Sequence, residues 1–361
     1  MLMFFKCEVL GWDMIVLDGR EGGGQMVRSA LALSMITGEP FRIKNIRASR
    51  NNSGLKAQHL AAINCLRAIS KSRALDAELG SSTLEFFPSP INRFRYDLNI
   101  GTAGSITLVL QALLLPLAFA DKKSIITITG GTDVAWSMPI DYLTNVLLPI
   151  LKPMLDCEIA LEKRGYFPEG GGKITLVVKP LLRRSNFSST KDFLESCRAL
   201  DIPIDLLNRK KLIAIEGISH ASKALESQNV AERNVHSAQL SLASVAFARI
   251  RTDYANVRSI GAGISLWAIC GSEGETRLGS DSLDKGSETG RIGQEAAEKL
   301  IALFGTNAVV DEHTADNLVP WLALFGGSIR TNSITQHIRT NAEVVAAFLQ
   351  KINVENSVIR S

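Results

Sequence analysis

An apolar run that ends in Asp-Gly, crosses three glycines and enters a helical pattern, LDGREGGGQMVRSALALSMITG over residues 17–38, constrains this chain more than any other feature. Consecutive glycines let a backbone turn sharply and let other groups approach it closely. The residues from Met14 to Asp18 are strand formers, and Val27, Leu31, Ser34 and Met35 recur at helical spacing, so the unit reads strand, glycine turn, helix. Glu-Gly-Gly-Gly begins at Glu21 and again at Glu169, in RGYFPEGGGKITLVV. The recurrence predicts an internal repeat in which related β–α units bring their glycine turns to comparable places, the second copy being mainly architectural.

The same grammar runs on. IRASRNNSGLKAQHLAAINCLRAI is a basic loop feeding a helix, and YDLNIGTAGSITLVLQALLLPLAF is strand, small-residue turn and helix. SIITITGG is a strand, a helix follows around Tyr142 to Leu151, and CEIALEKRG and KITLVVKP are strands. After Pro180 the chain turns polar and Ser-rich; ERNVHSAQLSLASVAFARI reads as one long helix, ISLWAIC as a strand, and GSEGETRLGSDSLDKGSETGRIG as a mobile connection. Helices then start near Gln294 and Thr314, GGSIRTN is a strand, and a last helix spans Thr340 to Gln350. Thr340 and Glu343 fit a capping box, which puts His337 in the turn before that helix. The expected class is α/β (α+β): a large domain of repeated βα units, residues 1–182 and 283–361, with a smaller α/β domain inserted at 183–282.

With 361 residues, 46% of them hydrophobic and 21% charged, the chain can build two cores. A formal net charge of +4 excludes a wholly basic nucleic-acid-coating protein and leaves room for a local phosphate-binding patch. Cys7, Cys65, Cys157, Cys197 and Cys270 form no Cys-x-x-Cys pair, which fits reduced thiols in a cytoplasmic protein. The apolar N-terminus is interrupted by Lys6, Glu8, Asp13 and Asp18 and reads as a strand region rather than a signal. Gln111 and Pro116 interrupt the apolar run ITLVLQALLLPLAFA, so no membrane partner is expected.

A glycine turn at a helix start exposes backbone amides and the positive end of the helix dipole, which suits phosphate oxygens. No Gly-Lys-Ser/Thr follows, and spacing alone fits a plain tight turn as well as a phosphate site. Glu21 makes sense beside phosphates if a divalent cation bridges them. Arg28, Arg42, Arg47, Arg50 and Lys56, with Gln58 and His59, lie around the turn in sequence; they make either a solvated basic face or forked phosphate contacts. Of the five histidines, His220 and His236 read as structural or surface groups, whereas His337 stands at a strand-to-helix turn where an imidazole could act as nucleophile or base.

Taken together, DGREGGGQMVRSALALSMITGEPFRIKNIRASRNNSGLKAQHLAA, GTAGSITLVLQ, GGTD, RGYFPEGGGKI, DEHTADNLVPWLAL and ITQHIRTNAEVVAAFL resemble, in order, the RNA 3′-terminal phosphate cyclase family. The resemblance spans nearly the whole chain outside the insert. It implies a large domain similar to enolpyruvyl-transferase-like folds and the reaction of ATP with an RNA 3′-phosphate to give a 2′,3′-cyclic phosphate, AMP and pyrophosphate. It implies His337 as the nucleophile that takes AMP from ATP. Gln111, His313, Thr314, Ala315, Asp316 and Asn317 match positions that hold ATP, Asn317 standing where glutamine is usual. Arg28, Arg47, Arg50, Gln58 and His59 match the polar group around the triphosphate and the RNA phosphate. Glu21 matches the carboxylate that contacts a divalent cation, Mg or Mn, and Asp133 is carried over only weakly because VAWSMP follows it. The family also has a ribosome-assembly branch without cyclase activity; that alternative is disfavoured here by the presence of His337, which a covalent mechanism requires.

Overall fold

A computed structural model describes residues 14–272, 274, 276–284 and 291–361 of the chain. Its first unit runs β1 (Ile15–Asp18), α1 (Gly24–Thr37), β2 (Phe41–Lys44), α2 (Ala57–Ile69), β3 (Arg73–Leu75) and β4 (Leu84–Phe87). The strands lie in the order β1-β2-β4-β3, with β1 parallel to β2 and the other pairs antiparallel. The second unit repeats this plan: β5 (Arg95–Asn99), α3 (Ile106–Ala118), β6 (Ser124–Gly130), then α4 (Ile140–Tyr142) and α5 (Leu148–Leu151) joined by a π-helical turn, then β7 (Asp156–Lys163) and β8 (Gly172–Lys179). Its order, β5-β6-β8-β7, has the same parallel and antiparallel pairs.

Helix α6 (Thr190–Ala199) leads to β9 (Ile204–Leu206), after which the chain leaves to build a separate sheet. That excursion holds β10 (Leu212–Ser222), α7 (Val230–Leu242), β11 (Ala248–Ala255), β12 (Ala262–Cys270), β13 (Thr276–Leu283) and α8 (Arg291–Phe304). The chain returns as α9 (Glu312–Phe325), β14 (Gly327–Arg330), α10 (Gln336–Phe348), β15 (Asn353–Glu355) and β16 (Val358–Arg360). With β9 these complete a third unit, ordered β9-β14-β16-β15, again with the parallel pair first.

The repeat is real, but Glu-Gly-Gly-Gly does not mark it. The first copy joins β1 to α1, whereas the second sits in the β7–β8 connection, where Gly170 and Gly171 take left-handed angles of φ 67 and 70°. The second-unit counterpart of the first turn is the segment 100–105, whose Ser105 bridges Gly131 as Val310 bridges Thr331 in the third unit. Helix α1 lies at the centre of the three units and is buried nearly all round, with Ala30, Leu31 and Leu33 fully enclosed. Enclosing a leucine of this kind contributes about 1.5–3 kcal/mol. Gly38 stops the helix in the left-handed conformation, its N–H donating to the Ser34 carbonyl at 2.9 Å.

The two cores divide the chain at other places than the composition suggests. Phe193, Cys197, Ile204 and Leu206 belong to the larger core, and the smaller core extends from Ile215 to Ala308. The segment 183–206 therefore packs with the repeated units, and α8 packs with the insert. The long helix expected over residues 232–250 ends at Leu242, because Ala248–Ala255 is recruited as an edge strand beside β10. The expected mobile connection contains β13, whose Leu278, Ser280 and Ser282 are buried: short side chains let the strand lie between β12 and α8. Finally, α10 begins earlier than its apparent capping box. Thr335 is the N-cap, accepting from Ile338 N, and Thr340 lies inside the helix with Oγ1 on the Gln336 carbonyl. Cys7 falls outside the described residues; Cys65, Cys157, Cys197 and Cys270 are free thiols. Among the described residues no helix is long and apolar enough to cross a membrane.

Candidate active site

Four helix starts, those of α1, α2, α9 and α10, bring their side chains to one place. Gly23 is the N-cap of α1 and supplies no side-chain cap, so the amides of the first turn are left open to an external acceptor. Its φ of −82° is available to any residue, so room rather than conformation demands the glycines. A Cβ on Gly23 would lie 2.7 Å from His337 Cε1, and one on Gly24 would lie 2.2 Å from His59 Nε2 and 3.0 Å from Arg28 Nη1. The glycine turn is a socket into which two imidazoles and a guanidinium press.

His59 is held in one state. The Lys56 N–H donates to its Nδ1 at 3.0 Å, which leaves the ring hydrogen on Nε2, and that atom is buried with no partner among the described residues. Burial, with Arg28, Arg47 and Lys56 adding to it, pushes its pKa down to about 3, so the ring is a neutral donor. Arg28 is clamped by two carboxamides, Nε to Gln111 Oε1 at 2.5 Å and Nη2 to Gln25 Oε1 at 2.6 Å. Burial lowers its pKa to about 10, against the pull of Asp316, and it stays cationic in neutral solution. Arg47 takes a left-handed backbone angle of φ 56° and keeps a buried Nε with no hydrogen-bond partner among the described residues. Arg50 is exposed at the end of the same loop.

From the third unit, Asp311 caps α9, accepting from the N–H groups of His313 at 3.1 Å and Thr314 at 3.0 Å. Tyr142 also donates to Asp311, which fixes the helix start against the second unit. Asp316 reaches back toward Arg28, and burial raises its pKa to about 6, with Arg28, an Asn341 hydrogen bond and His313 opposing the rise. Asn341 Nδ2 donates to the Asp316 carbonyl at 2.7 Å and to its carboxylate at 3.2 Å. His337 occupies the first turn of α10, and its pKa is lowered by burial of the ring and by Arg28, Arg50 and His313.

Of the residues singled out from sequence, Arg28, Arg47, Arg50, His59, Gln111, His313, Asp316 and His337 are linked by these contacts and fields. Gln58 lies at the start of α2, its backbone N 3.7 Å from where a Gly104 Cβ would stand. Asn317 donates to the His313 carbonyl at 2.7 Å. Thr314 and Ala315 turn away: Thr314 is buried against Tyr142 and Asp311, and Ala315 lies in the larger core. Gln25 and Asn341 escaped sequence reading, although each has a periodic signal, three residues before Arg28 and four after His337 on a shared helix face.

Arg28, Arg47, Arg50 and Lys56 gather beside the open amides and outnumber the Asp316 carboxylate that faces Arg28, so the place suits a polyanion such as a triphosphate. Glu21, exposed just before the glycines, makes no hydrogen bond or ion pair among the described residues. A lone carboxylate fits a hard cation held chiefly by phosphate oxygens and water, not one caged by protein. A different group, Asp133, Asp141 and His220, brings three potential ligand atoms within 4.8 Å of one another. It is already served by Arg164, whose guanidinium lies 3.2 Å from Asp133, 2.8 Å from Asp141 and 2.6 Å from Asp253. Asp133 thus belongs to the seam between the two cores.

A model of the RNA 3′-terminal phosphate cyclase family matches residues 19–354. Among curated proteins, the chain is 40% identical over 347 residues to the RNA 3′-terminal phosphate cyclase of Pyrococcus abyssi, covering 94% of each. It is 39% identical to that of Archaeoglobus fulgidus over 94% of this chain and 97% of the relative. The protein of the same name from Methanosarcina acetivorans is 41% identical over 95% of this chain and 97% of its own length. With the family pattern matched from the first glycine turn to beyond the last helix, and the site assembled from its segments, the chain belongs to the RNA 3′-terminal phosphate cyclase family.

Proposed function

We propose that the chain is an enzyme that converts an RNA 3′-terminal phosphate into a 2′,3′-cyclic phosphodiester at the expense of ATP. The observation that carries this reading is His337, a neutral imidazole pressed against the bare glycine start of α1 with Arg28 and Arg50 in its field. An unprotonated ring nitrogen attacks the α-phosphorus of ATP, forming a P–N bond and releasing pyrophosphate. An oxygen of the RNA 3′-phosphate then displaces the imidazole, so the terminal phosphate carries AMP. The 2′-hydroxyl loses its proton and attacks the 3′-phosphorus, and AMP departs. A monoester could not expel an oxide directly, which is why activation comes first.

Arg28, Arg47 and Arg50, the His59 Nε2–H and the α1 amides take the roles of charge-neutralising donors around the phosphates. His313, Asp316 and Asn317 line the nucleoside side, and Gln111 sets the angle of Arg28. A divalent cation, Mg or Mn, held by Glu21 and by substrate oxygens would spread the negative charge of the triphosphate. The three β–α repeats support a fold like that of enolpyruvyl transferases, and the unpaired thiols support a cytoplasmic setting.

Incubation with ATP labelled at the α-phosphate, followed by denaturing electrophoresis, tests the mechanism. Wild type is expected to carry an acid-labile, base-stable AMP adduct and His337→Ala to carry none. An adduct on both would move the nucleophile elsewhere. No adduct on folded wild type would turn the assignment toward a binding role in ribosome assembly.

A further inference from the structure

Two of the most exposed aromatic side chains among the described residues stand outside the site described above. Trp136 is 98% exposed and holds a left-handed backbone angle of φ 63°, and Phe167 is 73% exposed. Nothing in folding rewards an exposed indole on an unfavourable backbone angle, so the cost points to a ligand. Their loops are tied together, the N–H groups of Thr132 and Asp133 both meeting the Gly165 carbonyl, at 2.9 and 3.3 Å.

Both loops join the candidate active site through residues 102–104. Positions for a Cβ on Gly131 and Gly170 fall 2.5 and 2.8 Å from Ala103 atoms, and the neighbouring Gly104 abuts Gln58 at the start of α2. On the other side they meet the insert. Glu169 N donates to Ser259 Oγ at 3.0 Å, and Gly171 abuts the Arg258 side chain. Edge strand β11 borders the same seam: Asp253 reaches Arg164, and Arg251 pairs in register with Ile218, a member of the small apolar cluster against which Met138, two residues from Trp136, is packed. Arg249, Arg251 and Asp253 alternate onto one face of β11.

Arg249, Arg251 and Arg258 are exposed and form no ion pair among the described residues, while Asp253 is engaged by Arg164 and Glu169 is the one carboxylate in the 166–171 loop. Cations two residues apart on a strand, roughly 6–7 Å, with flat aromatics beside them, are the elements of a single-strand nucleic-acid groove. We propose that this seam, from Trp136 and Phe167 to Arg249 and Arg251, is the track that holds the single-stranded RNA leading into the active site. Bases stack on the aromatics and phosphates lie along β11. The track rests on the reading of the substrate as a 3′-phosphorylated RNA.

Fluorescence anisotropy of a labelled, 3′-phosphorylated ten-nucleotide RNA without ATP tests it. Trp136→Ala and Phe167→Ala are each expected to weaken binding roughly five- to hundredfold, the loss of one stacked base, and Trp136→Phe to retain most of it. Arg249→Gln with Arg251→Gln should flatten the slope of log affinity against log salt by about 1.4, two phosphates' worth. Unchanged affinity and slope would overturn the track. So would self-association of wild type that Trp136→Ala abolishes, which would assign the aromatics to a second copy of the chain. The two readings fail separately: wild type that binds RNA in this way yet forms no cyclic end sinks the reaction alone, and wild type that cyclises RNA with a KM none of these substitutions moves sinks the track alone.

Discussion

At the scale of single residues, the site is governed by which imidazoles refuse a proton. The pKa of His337 is lowered from 6.5, so its ring is unprotonated in neutral solution, the form the proposed attack on ATP needs. Self-adenylation should therefore be level above pH 6.5 and decline only at pH values below it, as measured by initial rates of adduct formation. His59 carries a stability consequence. Its folded pKa near 3 against 6.5 in the unfolded chain means the unfolded state binds a proton that the folded state does not, so stability is full above 6.5 and is lost as pH falls toward 3. Asp316 runs the opposite way, its pKa of about 6 making its share of stability grow as pH falls through 6. His59→Gln should reduce the loss of stability between pH 7 and pH 5 by on the order of 2 kcal/mol, read from urea midpoints at the two pH values. An unchanged acid limb would mean that His59 is protonated in the folded protein.

At the scale of elements, the start of α1 is a packing problem before it is a binding site. Gly24→Ala places a methyl group 2.2 Å from His59 Nε2, so the imidazole must leave its place against Arg28. Adduct formation is expected to fall at least tenfold while the far-ultraviolet spectrum is kept; full activity would show that the ring moves freely. Long apolar periods made α1, α2, α3 and α9 legible from sequence, as did the strands around Ile126 and Ile174. Identical tetrapeptides misled because glycine serves a strand-to-helix socket and a hairpin equally well, and only pairing partners separate them. Strand β11 was hidden because ARIRTDYA has an edge strand's exposed cations, and β13 because its small residues pack under a helix rather than carrying apolar bulk. Arg28, Arg47, Arg50, His59 and His337 stood out in the sequence by residue type, whereas Gln111, His313 and Asp316 were indicated only by the family resemblance. The inward turn of Thr314 and Ala315 was not, since helix phase is set by the Asp311 cap and by Tyr142 from another unit.

At the scale of the whole molecule, Arg164 fastens the insert to the repeated units. Its guanidinium meets Asp133 and Asp141 of the second unit and Asp253 of β11, and Tyr166 meets His220 Nδ1 at 2.8 Å beside it. Arg164→Met would leave the carboxylates of Asp133 and Asp141 buried without a counter-charge, a loss of about 3–5 kcal/mol. Arg164→Lys should restore little of it, because a point charge cannot serve three directions at once; thermal unfolding of the two variants checks both expectations. The three units also show a division of labour at one recurring position, the passage from first strand to first helix. In the first unit that passage is the glycine socket, in the second it is the 100–105 loop that abuts α2, and in the third it has opened to admit the entire smaller sheet. Arg209 clasps the exit of that excursion to its entry, donating to the carbonyls of Leu303 at 3.0 Å and Phe304 at 3.0 Å. The insert thus hangs from a closed doorway, so substitutions within its own core, away from β11 and Asp253, are borne by the smaller core without prising apart the repeats on either side of it.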